Sequence, residues 1–269
     1  MRVVWAIARR ELDEYFATPL GWICLFCFLT LSGLFFADAV EMLPDLYAIY
    51  QANPYAGNLD IYNKLFIPNH FQTWITLLIF ICPAISMRIL SADYREGSFE
   101  LLLSSPISSL QIVLGKYLGA LGFLLTLIAG TLPQVLLMYW MGAPDAGVIA
   151  GGVSSIFLVG AAYLAVGLLM SAFTDEQLLA GILAFCVLIG MLLVQQWNPL
   201  ESSQLVTDLR PGEKLLYWFK VVLAGSAIHG HIGDLVRGVL RLQDLVYFIS
   251  FIGLSIGIAS WRIESRRWS

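Results

Sequence analysis

Cysteine and histidine are the first residues in this chain whose spacing could do chemistry. Cys24 and Cys27 form a C-x-x-C, a spacing used in metal and redox sites. The surrounding stretch, LGWICLFCFLTL, is apolar and holds no histidine or second cysteine pair. Free cysteine packs as a small hydrophobe, so the pair reads as packing. Cys82 and Cys186 also lie in apolar runs. His229-Gly-His231, with Asp234 close behind, is the nearest approach to a metal-ligand cluster. Structural sites usually need four ligands, so the expectation is no metal. A G-x-x-x-x-G-K-[ST] phosphate loop is missing: Gly115-Lys116 lacks the upstream glycine and is followed by Tyr117. The chain is therefore expected to hold no ATP itself. H-E-x-x-H and G-x-S-x-G are missing as well.

Composition explains why so little catalytic chemistry is on offer. Of 269 residues, 59% are hydrophobic and 13% charged, about half the charged share of a soluble domain. Lipid is the expected solvent. The net charge of −4 offers no basic surface for nucleic acid. A spanning helix needs about 20 mostly apolar residues, and six segments qualify. They are residues 20–37, 71–90, 112–141, 148–173, 177–197 and 245–261. The third is overlong, so it must tilt, kink at Pro133 or begin outside the bilayer. Ala37-Asp38-Ala39 resembles a signal-peptidase site. Glu11, Asp13 and Glu14 before the first run do not suit a signal peptide, so that run is expected to stay as a membrane helix. The fold class is all-α polytopic membrane protein, because backbone groups in lipid must pair internally.

No charge falls near the middle of these segments, which argues against an ion-coupled carrier. Thr126, Thr131 and Gln134 are their most polar groups. They can hydrogen-bond between helices or line a translocation path. Gly115/Gly119 and Gly253/Gly257 have the small-x-x-x-small spacing that lets helices approach closely.

Lysine and arginine placement sets the orientation. Arg2, Arg9 and Arg10, then Arg88, Arg95 and Lys116, then Arg262, Arg266 and Arg267 share one side across six spans. That side, with both termini, is expected to be cytoplasmic. Residues 2–16 read as an amphipathic helix, with Val4, Trp5, Ala8, Leu12, Tyr15 and Phe16 on one face and Arg2, Arg9 and Asp13 opposite. Such a helix lies in the interface plane. Residues 198–243 form an outer segment, partly apolar, that suits an amphipathic or re-entrant piece better than a seventh span.

The stretch REGSFELLLSSPIS, Arg95–Ser108, interrupts the apolar runs. Ser98 is an N-cap candidate and Glu100 suits a first helical turn. Pro106 disfavours helix at the residue before it, and Ser108 with Gln111 matches a capping box for the next helix. The pattern predicts a short helix over 97–105 whose Phe99, Leu101, Leu102 and Leu103 need something to bury against. It either lies in the headgroups or docks a partner.

The same residues carry a resemblance. Pro83–Arg88, then Glu96, Gly97, Ser98, Glu100, Leu102, Leu103, Ser105 and Pro106, then Val113, Leu114, Gly115 and Lys116 resemble the permease subunits of ABC-2 type ABC transporters. ELDEYFATPLGWI (Glu11–Ile23) and RGVLRLQDLVYF (Arg237–Phe248) resemble the gliding-motility-associated branch of that family. The resemblance implies an N-terminal elbow helix, a cytosolic coupling helix at 97–105, and a multi-pass subunit of an inner-membrane exporter. It implies that ATP and magnesium sit on separate ATPase subunits, and that a second permease, identical or paralogous, completes the pore. Glu96, Gly97, Ser98, Phe99, Glu100, Leu102, Leu103 and Pro106 would meet the ATPase. The competing reading is a membrane anchor of a motility or secretion machine with no transported substrate.

Overall fold

The computed structural model describes residues 2–52, 60–96, 107–196, 228–239 and 241–267. Helix α1 is Arg2–Ala17 and α2 is Pro19–Gln51. A π-helical turn, Tyr62–Phe66, runs into α3, Ile67–Ser86, and α4 is Ser91–Glu96. Then follow α5 (Ser109–Gly130), α6 (Leu132–Met141), α7 (Ala146–Phe173) and α8 (Gln177–Gln196). A 3₁₀ turn, Ile228–His231, leads into α9 (Ile232–Val236), and α10 is Leu242–Arg267. The described residues are overwhelmingly helical and contain no strand, and six of their helical stretches are long and apolar enough to cross a membrane. The chain is an all-α polytopic membrane protein.

Local sequence sets where these helices stop. Pro19 occupies the first turn of α2, where its missing N–H costs nothing. α2 runs 33 residues and carries straight through Ala37–Ala39, well past the expected end at 37. Ser108 and Gln111 form the expected capping box at the start of α5. The overlong third span breaks at Thr131, which ends α5 and caps α6, with Pro133 in the first turn of α6. α3 ends at Ser86, and the N–H groups of Leu90 and Ser91 donate to Ser171 Oγ on α7 at 3.1 and 3.0 Å. A side chain from another helix thus supplies the acceptor that the broken turn lost.

α7 is the central helix. It packs against α3, α5, α8, α9 and α10, while α2, α8 and α10 leave much of their surface open to the surroundings. Glycines let α3 and α5 come close: a Cβ at Gly152 would meet Phe71 at 2.2 Å and one at Gly160 would meet Leu124 at 2.8 Å. α1 and the last turns of α10 both meet the start of α5 at one end of the bundle, called here the near end. Exposed Trp5, Trp22 and Trp261 ring it, and exposed Tyr139 and Trp140 mark the far end. Such aromatic girdles sit at membrane–water boundaries.

Candidate functional site

The near end is built around a lysine. Lys116 lies in the second turn of α5, in a run that is otherwise apolar. Its Nζ lies 2.5 Å from Glu11 Oε1 on α1 and 2.8 Å from Asp93 Oδ2 on α4. All three side chains are less than 10% exposed. Beside them Arg88, in the turn between α3 and α4, donates to Glu14 Oε1 on α1 at 3.1 Å. A cavity of about 10 Å³ among Glu11, Glu14, Tyr15, Arg88, Asp93 and Lys116 has room for about one water. Burial holds the Glu11 carboxyl above its ordinary value, and the attraction of Lys116 only partly offsets it.

The helix geometry that buries this lysine is legible in the packing. α1 lies along α5, and the two backbones nearly touch at Gly115 and Gly119. A Cβ on Gly119 would stand 2.5 Å from Glu11 Cβ and 2.9 Å from the Ala8 carbonyl oxygen. A Cβ on Gly115 would stand 2.7 Å from Ile7. Ala8, Glu11 and Tyr15 therefore form the buried face of α1. Tyr15 stacks on Phe123 at 5.0 Å and its hydroxyl donates to the Ile85 carbonyl at 3.2 Å. The expected apolar face is thus shared: its Ala8 and Tyr15 side goes to α5, while Trp5 stays exposed. The start of α5 is held from a third direction, because Ser109 Oγ donates to the Glu264 carboxylate near the end of α10.

Of the residues expected to meet a partner, Glu96 is the last of α4, and Gly97, Ser98, Phe99, Glu100, Leu102, Leu103 and Pro106 lie outside the described residues. Those residues join α4 to α5, so both helices gripped by Lys116 flank them directly. Spacing along the chain pointed to residues 97–106 and missed Glu11 and Asp93. One clue was available: Glu11 falls three residues after Ala8 and four before Tyr15, on the stripe that packs.

The three polar candidates in the third span separate. Thr126 and Thr131 donate to the carbonyls of Gly122 and Ile128 within their own helix, at 3.1 and 2.7 Å. Gln134, on α6, reaches across the bundle: its Nε2 donates to Ser32 Oγ on α2 at 2.9 Å, and its Oε1 faces His70 Nε2 on α3 at 3.4 Å. His231 and Asp234 make separate contacts. His231 Nδ1 lies 2.7 Å from Asp244, whereas Asp234 pairs with Arg241 at 2.9 Å. No group of three or more metal-ligating side chains occurs among the described residues, and the described cysteines carry no disulfide.

Residues 5–260 match the family described as ABC-2 family transporter protein, and the chain belongs to that family. It is a permease subunit of the ABC-2 type, embedded in the membrane and not itself catalytic. No curated protein matches it significantly.

Proposed function

We propose that this permease works in an ATP-driven exporter of a bacterial-type inner membrane, with both termini cytoplasmic. A separate ATPase would dock on residues 97–105. Glu96 and Glu100 would face its groove, and Phe99, Leu102 and Leu103 would seat the helix. A second permease, identical or paralogous, would complete the pathway, and ATP and magnesium would be bound by the ATPase alone. The N-terminal and penultimate motifs favour the gliding-motility-associated branch. One observation carries the coupling role. Lys116 ties α5 to α4, the two helices that flank the docking stretch, and ties α5 to α1 as well. A push delivered there meets one stiff body, so it moves α5 instead of dissipating in a soft loop.

The test is to purify the tagged chain from its native membrane and assay ATP hydrolysis in the complex. Wild type should bring down an ATPase, and Glu100→Lys should insert normally yet lose ATPase association or coupling. Full hydrolysis and export by Glu100→Lys would remove the docking role of Glu100. A functional complex with no hydrolysis at all would favour the scaffold reading.

A further inference from the structure

α3 breaks where its own sequence gives no reason to break. The turn between α3 and α4 is Met87-Arg88-Ile89-Leu90, with no glycine or proline in it. Met, Arg and Leu are among the better helix formers. Pro83 lies earlier, inside α3, and the helical bond from the Met87 N–H to its carbonyl is intact at 2.9 Å. Sharp breaks otherwise arise where a side chain inserts into the helical ladder, and one does here. The N–H groups of Leu90 and Ser91 donate to Ser171 Oγ on α7, and that hydroxyl donates in turn to the Met87 carbonyl at 3.3 Å. The Ile89 N–H turns back to the Ser86 carbonyl at 3.1 Å, which frees the Ile85 carbonyl. The Tyr15 hydroxyl of α1 takes that carbonyl at 3.2 Å.

α7 is shaped for this contact. Gly167 and Ser171 lie one turn apart on one face. A Cβ on Gly167 would overlap Ser86 Oγ, so the glycine admits the end of α3 and Ser171 meets the turn just beyond it. Ser86, Ser91 and Ser171 are all fully buried.

The bonds of an unbroken helix are within the same few residues. Straightened, the N–H groups of Ile89, Leu90 and Ser91 would go to the carbonyls of Ile85, Ser86 and Met87. The Met87 carbonyl is held instead by the hydroxyls of Ser91 and Ser171. The exchange moves each N–H from one acceptor to another and orphans none of them. Two arrangements with matched hydrogen bonding make a two-state element.

We infer that residues 87–90 are a hinge, latched in the bent state by Ser171 and Tyr15. Release of the latch joins α3 and α4 into one helix and withdraws Asp93 from Lys116. The inference concerns the helices alone and holds whether or not an ATPase docks beyond α4.

The experiment uses the full chain in phosphatidylcholine nanodiscs. It reads hydrogen exchange at the amides of Leu90 and Ser91, and acetylation of Lys116 by acetic anhydride, both by peptide mass spectrometry. Lys116 is 2% exposed and should react slowly in wild type, with exposed Lys64 as the reactive control. Ser171→Ala should raise Lys116 acetylation about tenfold, the scale of two lost hydrogen bonds, while both amides stay protected because the straight helix takes them up. Tyr15→Phe keeps the ring on Phe123 and loses only the hydroxyl, so it should raise acetylation about threefold. Ser91→Pro lacks the N–H that the straight helix needs yet suits the first turn of α4, so adding it to Ser171→Ala should return Lys116 to slow reaction. All variants should elute from size exclusion like wild type. A fixed cap with no second state gives the opposite pattern: in Ser171→Ala the two amides exchange faster and Lys116 stays unreactive. Either of those results, or fast acetylation that survives Ser91→Pro, would overturn the proposal.

Discussion

The two ends of this bundle are held together by different forces. At the near end, full charges meet: Lys116 with Glu11 and Asp93 out of water, and Arg88 with a half-exposed Glu14. At the far end the charged contacts, Asp234 with Arg241 and Asp244 with His231, join neighbours in sequence, and neutral hydrogen bonds join the distant helices. Tyr62 donates to the Met138 carbonyl at 2.6 Å, Asn63 to the Ala143 carbonyl at 3.2 Å, and Gln134 links Ser32 and His70. Breaking a buried ion pair strands a charge, whereas breaking a neutral bond strands at most a dipole. The near end is thus all-or-none in its packing, while the far end yields one contact at a time.

The sharpest way to break the contrast is Lys116→Met. It removes the buried cation that lies between Glu11 and Asp93 and should cost about 3–5 kcal/mol, read as a collapse of thermal stability in detergent. Replacing Glu11 and Asp93 by apolar residues in the same variant should restore much of that loss. Gly119→Leu comes next. It forces α1 off α5 and should cost about 1–3 kcal/mol, with α1 exchanging amide hydrogen faster. At the far end Gln134→Leu should cost only about 0.6 kcal/mol, as polar contacts in membranes typically do. A cost for Gln134→Leu equal to that for Lys116→Met would end the comparison.

A subtler difference concerns pH. The Glu11 carboxyl is held above its ordinary value by burial, so in that window the folded chain takes up a proton more readily than the unfolded one. Its contribution to stability is therefore greatest at low pH and falls as pH rises through the raised value. Glu11→Gln should flatten that slope in a melting-temperature series, while a far-end variant such as Gln134→Leu should leave it unchanged. The smallest effect is expected at Gly257→Leu. A Cβ there meets nothing within 4 Å, so the single chain should shift by less than about 0.5 kcal/mol.

The two glycine pairs show what a sequence can and cannot tell. Gly115/Gly119 and Gly253/Gly257 share one spacing and look alike on paper. The first pair is filled by α1 and the second faces open space within this chain. Spacing reports that a close approach is possible, but the partner is set by packing between distant segments. Lys116 hides for the same reason. Its proton-accepting partner Glu11 is 105 residues away, and a lysine beside a predicted boundary reads as a surface charge. Local signals fared better. Hydropathy found six spans, the Ser108–Gln111 capping box formed, and Pro133 announced a break. The break itself falls at Thr131, because a proline is tolerated inside the first turn of the helix it starts.

That break divides the third span into a long arm and a short one. The 22 residues of α5 make a rod of about 33 Å whose foot is gripped by α1, α4 and α10. The 10 residues of α6 belong to the other end, tied through Gln134 and the Met138 carbonyl. Between them Pro133 has no N–H to give, and the N–H groups of Gln134 and Val135 reach back to the Thr131 carbonyl. The third span is thus a jointed rod, its long arm seated in charge and its short arm held by neutral hydrogen bonds.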